Sequence, residues 1–356
     1  MIVFVYGTTA EAIKFAPLAR RLRDRGVPYR QWVTLQQSQT VVRNLPALGL
    51  EEPDEIIADG VAGRPLAGML DTARWMLTIL SWYRRNSGRL RRELAAEPSV
   101  LLVHGDTMTS VVGAFIGRGL GVTVAHVEAG LRSGDWRHPF PEELDRRIVG
   151  RVAHIHYAPS EAAVAALPRR DVVFTHGNTA VDALADAHQA GGGQREPFGL
   201  VLLHRFEFLN NARLVRETVD SLATGSPLPL AVVVDDHARA TIEPLANAVG
   251  ADRMKVLGKL PHHEFVELLA SASFVVTDSG GVQEEVSRLG TPTLIHRKAT
   301  ERSEGLGANV VLSMWRPEML REFLADYDRW RRPPGDDQLS PSDIIVDDLR
   351  GRGYAR

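Results

Sequence analysis

Met1-Ile2-Val3-Phe4-Val5-Tyr6-Gly7-Thr8-Thr9-Ala10-Glu11 opens the chain. The run Ile2 to Tyr6 is apolar at every position, rich in β-branched and aromatic residues, and shows no alternation. That is the pattern of a strand buried on both faces. Gly7-Thr8-Thr9 makes a turn, and Ile13, Pro17, Leu18 and Leu22 then recur at helical spacing through Thr8 to Arg25. The stretch lacks a basic leader and is too short for a signal h-region, so it reads as strand, turn and helix.

The same alternation continues outward. Apolar runs at Val100 to Val103, Val122 to Val127, Ile155 to Ala158 and Val172 to Thr175 are separated by amphipathic segments, which predicts a parallel sheet covered on both faces. Around Ala187 to Phe198 the composition changes to Gly191-Gly192-Gly193 with polar neighbours and Pro197, a linker. A second series of strands follows near Leu200 to Leu203, Leu230 to Val234, Met254 to Val256, Phe274 to Thr277 and Thr293 to Ile295. Pro333-Pro334-Gly335-Asp336-Asp337 interrupts the chain again before Ser340 to Leu349, a candidate helix returning to the first domain. The expected organisation is α/β throughout: a Rossmann-like domain over 1–186 joined by 340–356, a linker over 187–197, and a second Rossmann-like domain over 198–339. A chain of 356 residues suits two cores better than one.

Composition narrows the function. With 42 Lys and Arg against 44 Asp and Glu, a net charge of -2, there is no global field for a polyanion, so nucleic acid is not an expected partner. The absence of cysteine excludes disulfides, thiolate metal sites and a cysteine nucleophile, and fits a reducing cytoplasm. No apolar run approaches the roughly 20 residues that span a bilayer, so no membrane partner is expected.

Several motifs lie where open α/β sheets place ligands, just beyond strand ends. Gly7 to Glu11 is one, although a single glycine there is no dinucleotide fingerprint. Thr277-Asp278-Ser279-Gly280-Gly281 follows an apolar strand and precedes Val282 to Leu289. Its small residues allow backbone to approach a pyrophosphate at a helix N-terminus, with Glu285 one turn on to accept ribose hydroxyls. Asp106 follows Leu101 to Gly105, Glu128 follows Val124 to Val127, and Glu142 lies in the proline-flanked loop Trp136 to Glu143. Carboxylates gathered in a cleft perturb one another and divide acid and base work; singly, each is as well explained as a cap or an arginine partner. His204-Arg205 follows the first strand of the second domain, where a histidine can donate to a phosphate or leaving group. His126-Val127-Glu128 imitates a zinc deaminase motif, but its Cys half cannot exist here. Pro261-His262-His263-Glu264 reads as a solvated helix start, so neither metal nor redox cofactor is expected.

Taken in order, Glu11-Ala12-Ile13-Lys14, His104-Gly105-Asp106-Thr107, His126-Val127-Glu128-Ala129-Gly130-Leu131-Arg132, Pro141-Glu142-Glu143, Gly177-Asn178-Thr179, Asp278 to Glu285 and Thr300-Glu301-Arg302 resemble the non-hydrolysing UDP-N-acetylglucosamine 2-epimerases. The likeness runs from the opening turn to about Asn309. It implies the two-domain glycosyltransferase-B fold, with the domains facing across a nucleotide-sugar cleft and closing over it. The implied reaction is cofactor-independent inversion of C2 in a UDP-linked 2-acetamido sugar, by elimination of UDP to a 2-acetamidoglucal and re-addition. Asp106, Glu128 and Glu142 then form the acid/base group, and His204 assists the departing pyrophosphate. Lys14, Arg302, Ser279, Gly280 and Gly281 hold the diphosphate, and Glu285 the ribose. The family also implies a homodimer; Trp75-Met76-Leu77 and Trp82-Tyr83 suit either that interface or the core.

The sequence departs from the family where Thr9-Ala10 replaces Arg-Pro, removing a phosphate-binding guanidinium. Leu35-Gln36-Gln37, His204-Arg205-Phe206-Glu207 and Val234-Asp235-Asp236 also differ, in regions that in bacterial members help bind a second, activating UDP-sugar. The expectation is that this site is lost or that a different sugar is accepted. A hydrolysing epimerase shares the intermediate and is not separated by sequence. A glycosyltransferase of the same fold, or a non-catalytic nucleotide-sugar sensor, has little use for three acids at these intervals.

Overall fold

The computed structural model describes residues 1–36, 39–60, 66, 68–133, 141–167, 170–188, 197–235, 238–260, 262–300, 302–333 and 339–355. Most of the expected linker, the loop from Trp136 to Phe140, and Gln37, Asp236, Pro261, Glu301 and 334–338 lie outside the described residues. The chain divides into one unit of Met1–Ala183 with Leu339–Arg356, and a second of Leu184–Gln338.

The first unit holds a seven-stranded, wholly parallel sheet. Its strands are β1 (Ile2–Tyr6), β2 (Tyr29–Val33), β3 (Glu55–Ile56), β4 (Val100–His104), β5 (Thr123–Val127), β6 (Ile155–Ala158) and β7 (Asp171–Phe174), in the order β3-β2-β1-β4-β5-β6-β7. The unbroken apolar run of β1 is explained by its neighbours. Ile2, Phe4 and Tyr6 join one core with Phe15 and Leu18 of the helix Thr9–Asp24, while Val3 and Val5 join the opposite core with Trp32, Trp75 and Trp82. Trp75 and Trp82 are therefore core residues, whereas Met76, Leu77 and Leu80 of the same helix, Met69–Leu94, are exposed.

The final helix, Pro341–Gly351, packs against the first helix through Ile345, Val346 and Leu349. Arg21 Nε donates to Asp343 Oδ2 at 3.0 Å, and Asp182 accepts from the Ser342 amide at 2.7 Å.

The second unit repeats the plan with six parallel strands: β8 (Gly199–Leu202), β9 (Leu230–Val233), β10 (Met254–Leu257), β11 (Phe274–Thr277), β12 (Thr293–Ile295) and β13 (Val310–Leu312), ordered β10-β9-β8-β11-β12-β13. Again both faces are covered. Val201, Phe274 and Val276 pack on one side, and Leu200, Val275 and Ile295 on the other.

Each expected strand is present to within two residues. Three escaped the pattern: β2, β3 and β13. The first carries polar Arg30 and Gln31, and Gln31 is buried because its amide reaches Glu51 O at 3.0 Å while its Oε1 accepts from the Tyr6 hydroxyl at 2.8 Å. Among the described residues, no helix is long and apolar enough to cross a membrane.

Candidate active site

Both sheets reverse their strand order once, between β1 and β4 in the first unit and between β8 and β11 in the second. Crossovers leave such neighbours in opposite directions, so the C-terminal ends of each pair open a crevice. The candidate residues fall at these two places.

At the first crevice, β4 ends at His104 and runs into Gly105-Asp106, while β5, its neighbour in register, ends at Val127 and runs into Glu128. Glu128 adopts a left-handed backbone, φ 65°, which costs a residue with a Cβ about 1–3 kcal/mol and is held only where its surroundings over-determine it. Here the carboxylate is gripped: Lys14 Nζ donates to its Oε2 at 2.8 Å, and His104 Nδ1 lies 3.4 Å from the same oxygen. Gly105, at φ 66°, gives the room. A Cβ there would stand 3.0 Å from Glu128 Oε2. His126 fixes this turn by donating from Nε2 to Gly105 O at 2.8 Å, and burial pushes its imidazole down to about 4, so it stays neutral.

The helix Glu142–Val152 supplies the rest. Arg146 pairs with Asp106 and lies 3.6 Å from Glu143, which also accepts from Arg147 Nε at 2.9 Å and the Ser133 amide at 3.1 Å. Glu142 starts the helix with one buried carboxylate oxygen that makes no hydrogen bond.

Sequence reasoning missed Asp145. It lies three residues from Glu142 on the same helical face, 6 % exposed, with Oδ2 unpartnered. Burial, then the negative charges of Asp106 and Glu142, push its carboxyl up to about 7. Three carboxyl groups are thus close enough to repel one another, the condition under which one holds a proton near neutral pH. The i, i+3 spacing to Glu142 was the available signal.

The opening turn has another job than the one suggested. The Gly7 and Thr8 amides, both donors that a phosphate would need, donate to Glu11 Oε2 at 2.9 Å. Glu11 also accepts from Thr107 Oγ1 at 2.7 Å, tying the β1 turn to the β4 turn. A Cβ at Gly7 would meet the Thr34 and Thr109 hydroxyls at 2.2 Å, so packing alone demands glycine there.

At the second crevice, β8 leads to His204 and β11 to Asp278. Asp278, fully buried, accepts from the His204 amide at 3.0 Å and the Arg205 amide at 2.9 Å. His204 Nδ1 stands 3.1 Å from Asp278 Oδ1, an ion-pair distance. Burial opposes charge on the imidazole, but Asp278, helped by Asp235, more than offsets it and raises the His204 pKa.

Ser279 caps the helix Gly280–Leu289, accepting from the Val282 amide at 3.4 Å. At Gly281 an added Cβ would meet nothing nearer than Ser279 Oγ at 3.9 Å, so the protein's own packing leaves that space. Glu285 is buried one turn along. Arg302 is paired with Glu284, and Gln283 holds the Arg302 carbonyl at 3.2 Å.

The family model described as UDP-N-acetylglucosamine 2-epimerase matches residues 90–324. A curated relative, the UDP-N-acetylglucosamine 2-epimerase of Bacillus subtilis, is 31% identical and is aligned over 100% of this chain and 96% of its own length. Among solved structures, a UDP co-structure of MnaA from S. aureus is 26% identical with a TM-score of 0.75, covering 99% of this chain and 97% of that one. UDP-GlcNAc 2-epimerase from Neisseria meningitidis bound to UDP-GlcNAc has a TM-score of 0.80 at 24% identity, covering 98% and 99%, a likeness that speaks for the fold alone.

Proposed function

This chain belongs to the UDP-N-acetylglucosamine 2-epimerase family, and from that premise we propose that it interconverts UDP-N-acetylglucosamine and UDP-N-acetylmannosamine without hydrolysis. The observation that carries the reading is the grouping of carboxyl groups at the β4 and β5 ends, with Lys14 and Arg146 set against them.

The hydrogen on C2 is not acidic in the ground state. It is lost as the C1–O bond to UDP stretches and positive charge grows at C1. The C2–H pair becomes the C1=C2 double bond of a 2-acetamidoglucal, UDP leaves with the C1–O pair, and a carboxylate takes the proton. Protonation of C2 from the opposite face, with a UDP oxygen re-forming the bond to C1, completes the inversion. Asp106, Glu128 and Glu142 move the protons and stabilise charge at C1. His204, its pKa raised by Asp278, stabilises the departing diphosphate. Ser279, Gly280, Gly281 and Arg302 hold the diphosphate and Glu285 the ribose, while Lys14 neutralises Glu128.

A second copy of the chain is the proposed partner of the exposed Met76, Leu77 and Leu80, which share one face of the helix Met69–Leu94. Sedimentation of Leu77→Glu as a monomer, against a wild-type dimer, checks this.

The chemistry is tested by a proton NMR time course with UDP-N-acetylglucosamine in D₂O. Deuterium at C2 of a UDP-linked manno product is expected. Free N-acetylmannosamine with UDP would replace the proposal with a hydrolysing epimerase, and an unchanged spectrum would remove this substrate.

A further inference from the structure

Arginines crowd a second place in the first unit. A cavity of about 290 Å³ is lined by Arg132, Arg147, Arg151 and Arg170, with Gly150 in its wall. Arg132 follows β5, Arg147 and Arg151 come from the helix Glu142–Val152, and Arg170 stands just before β7. At 100° per residue, Arg147, Gly150 and Arg151 lie about a third of a turn round that helix from Glu142, Asp145 and Arg146. The cavity is therefore distinct from the carboxyl cluster, although the same helix carries both.

Among the described residues its lining is basic: Glu143 is the carboxylate that acts on Arg132, and it is already engaged by Arg147, Arg146 and the Ser133 amide. Burial lowers the Arg132 pKa; Glu143 opposes that lowering, and Arg147, Arg146 and Arg151 each add to it. A guanidinium does not escape such crowding by losing its proton at any ordinary pH. The remaining relief is an anion. Arg132 Nη1 is turned onto its own neighbour's carbonyl, Leu131 O, at 2.7 Å, and Arg151 Nη1 donates to Arg147 O at 3.4 Å. A Cβ on Gly150 would stand 3.4 Å from Arg132 Nη2, so glycine keeps that edge of the guanidinium clear.

We propose that this arginine-lined cavity is a binding site for a small multivalent oxyanion of the phosphate or diphosphate class. Several guanidiniums at different angles suit the tetrahedral oxygens of a phosphoryl group, which accept paired N–H donors. The volume lies just under the range usual for drug-sized ligands, which favours a diphosphate or a small phosphate ester over a whole nucleotide sugar. Through Arg147 and Glu143 the site touches Arg146, the partner of Asp106, which gives a bound anion a route to the carboxyl cluster.

The test is calorimetric titration of inorganic pyrophosphate into full-length protein already saturated with UDP, at fixed ionic strength, so that the nucleotide's own phosphate contacts are occupied. Wild-type protein is expected to bind one equivalent. Arg151→Gln/Arg170→Gln, which changes two exposed residues, is expected to weaken binding about tenfold or more while UDP affinity and melting temperature stay the same. Arg213→Gln/Arg216→Gln, which removes two exposed charges from another surface, is expected to bind as wild type does. Absence of binding to wild type, equal affinity in the cavity variant, or equal losses in both double variants would overturn the proposal. Inorganic phosphate in parallel distinguishes a diphosphate site, where it binds more weakly, from a monophosphate one.

Discussion

The crevices at β1/β4 and at β8/β11 share one strand order and have opposite electrostatics. The first gathers acids: Asp106, Glu128, Glu142 and the half-neutral Asp145, held by Lys14, His104 and Arg146. The second gathers donors. Its deepest carboxylate, Asp278, accepts from two backbone amides and lies 3.1 Å from His204 Nδ1, raising the pKa of an imidazole beside the start of the helix Gly280–Leu289. The topology fixes where ligands dock, and the side chains at the strand ends decide what is done there. An acidic crevice is suited to proton transfer and to a carbon bearing positive charge; a donor-rich one to a diphosphate.

If that division is right, substitutions at the two places separate chemistry from binding. Asp106→Asn keeps the shape and removes a charge from the acidic crevice. It is expected to lower kcat by about 1,000-fold with UDP affinity nearly unchanged, measured by coupled turnover and calorimetry. An equal loss of UDP binding would break the comparison.

His204→Gln should cost about 100-fold in kcat. Because Asp278 raises its pKa above the usual 6.5, His204 is charged below that raised value and neutral above it. The wild-type rate should therefore fall as pH rises through it, and the variant should lack that limb.

Asp145 sharpens the contrast through stability. Its folded pKa, about 7, lies above the ordinary 3.8, so the folded chain keeps a proton that the unfolded chain has lost. Stability is unaffected below about pH 4 and declines as pH rises to about 7. Asp145→Asn removes the decline. Chemical denaturation should show the variant gaining about 2 kcal/mol on wild type between those limits, less than the whole shift implies because a carboxylate relaxes towards water.

Gly281→Ala is the smallest expected effect. Nothing in the protein opposes a Cβ there, so melting temperature should hold while UDP binding weakens about tenfold, if backbone approach to the diphosphate is what that space is for.

Much of this was legible in the sequence, for a reason the cores make plain. Strands buried on both faces must be apolar throughout, so β1, β4, β5 and β11 announce themselves, and the residues just past them are the candidates. What was not legible depends on tertiary contact. Gln31 hides β2 because its polar group is satisfied inside. Asp145 looks like any surface acid on an amphipathic helix until Asp106 is brought to it from another strand. The left-handed backbone of Glu128 leaves no local pattern, whereas the hold of Glu11 on the Thr8 amide is written in the capping-box spacing Thr8-Thr9-Ala10-Glu11. The arginines of the further cavity come from three separate stretches of chain.

The most direct measurement of the proposed division is deuterium exchange at C2 by Glu142→Gln, with UDP affinity taken on the same samples. Exchange slowed at least 100-fold with UDP bound as tightly as in wild type is the predicted result. Exchange at the wild-type rate, or UDP binding lost in step with it, would contradict the assignment of chemistry to the acidic crevice and nucleotide to the other.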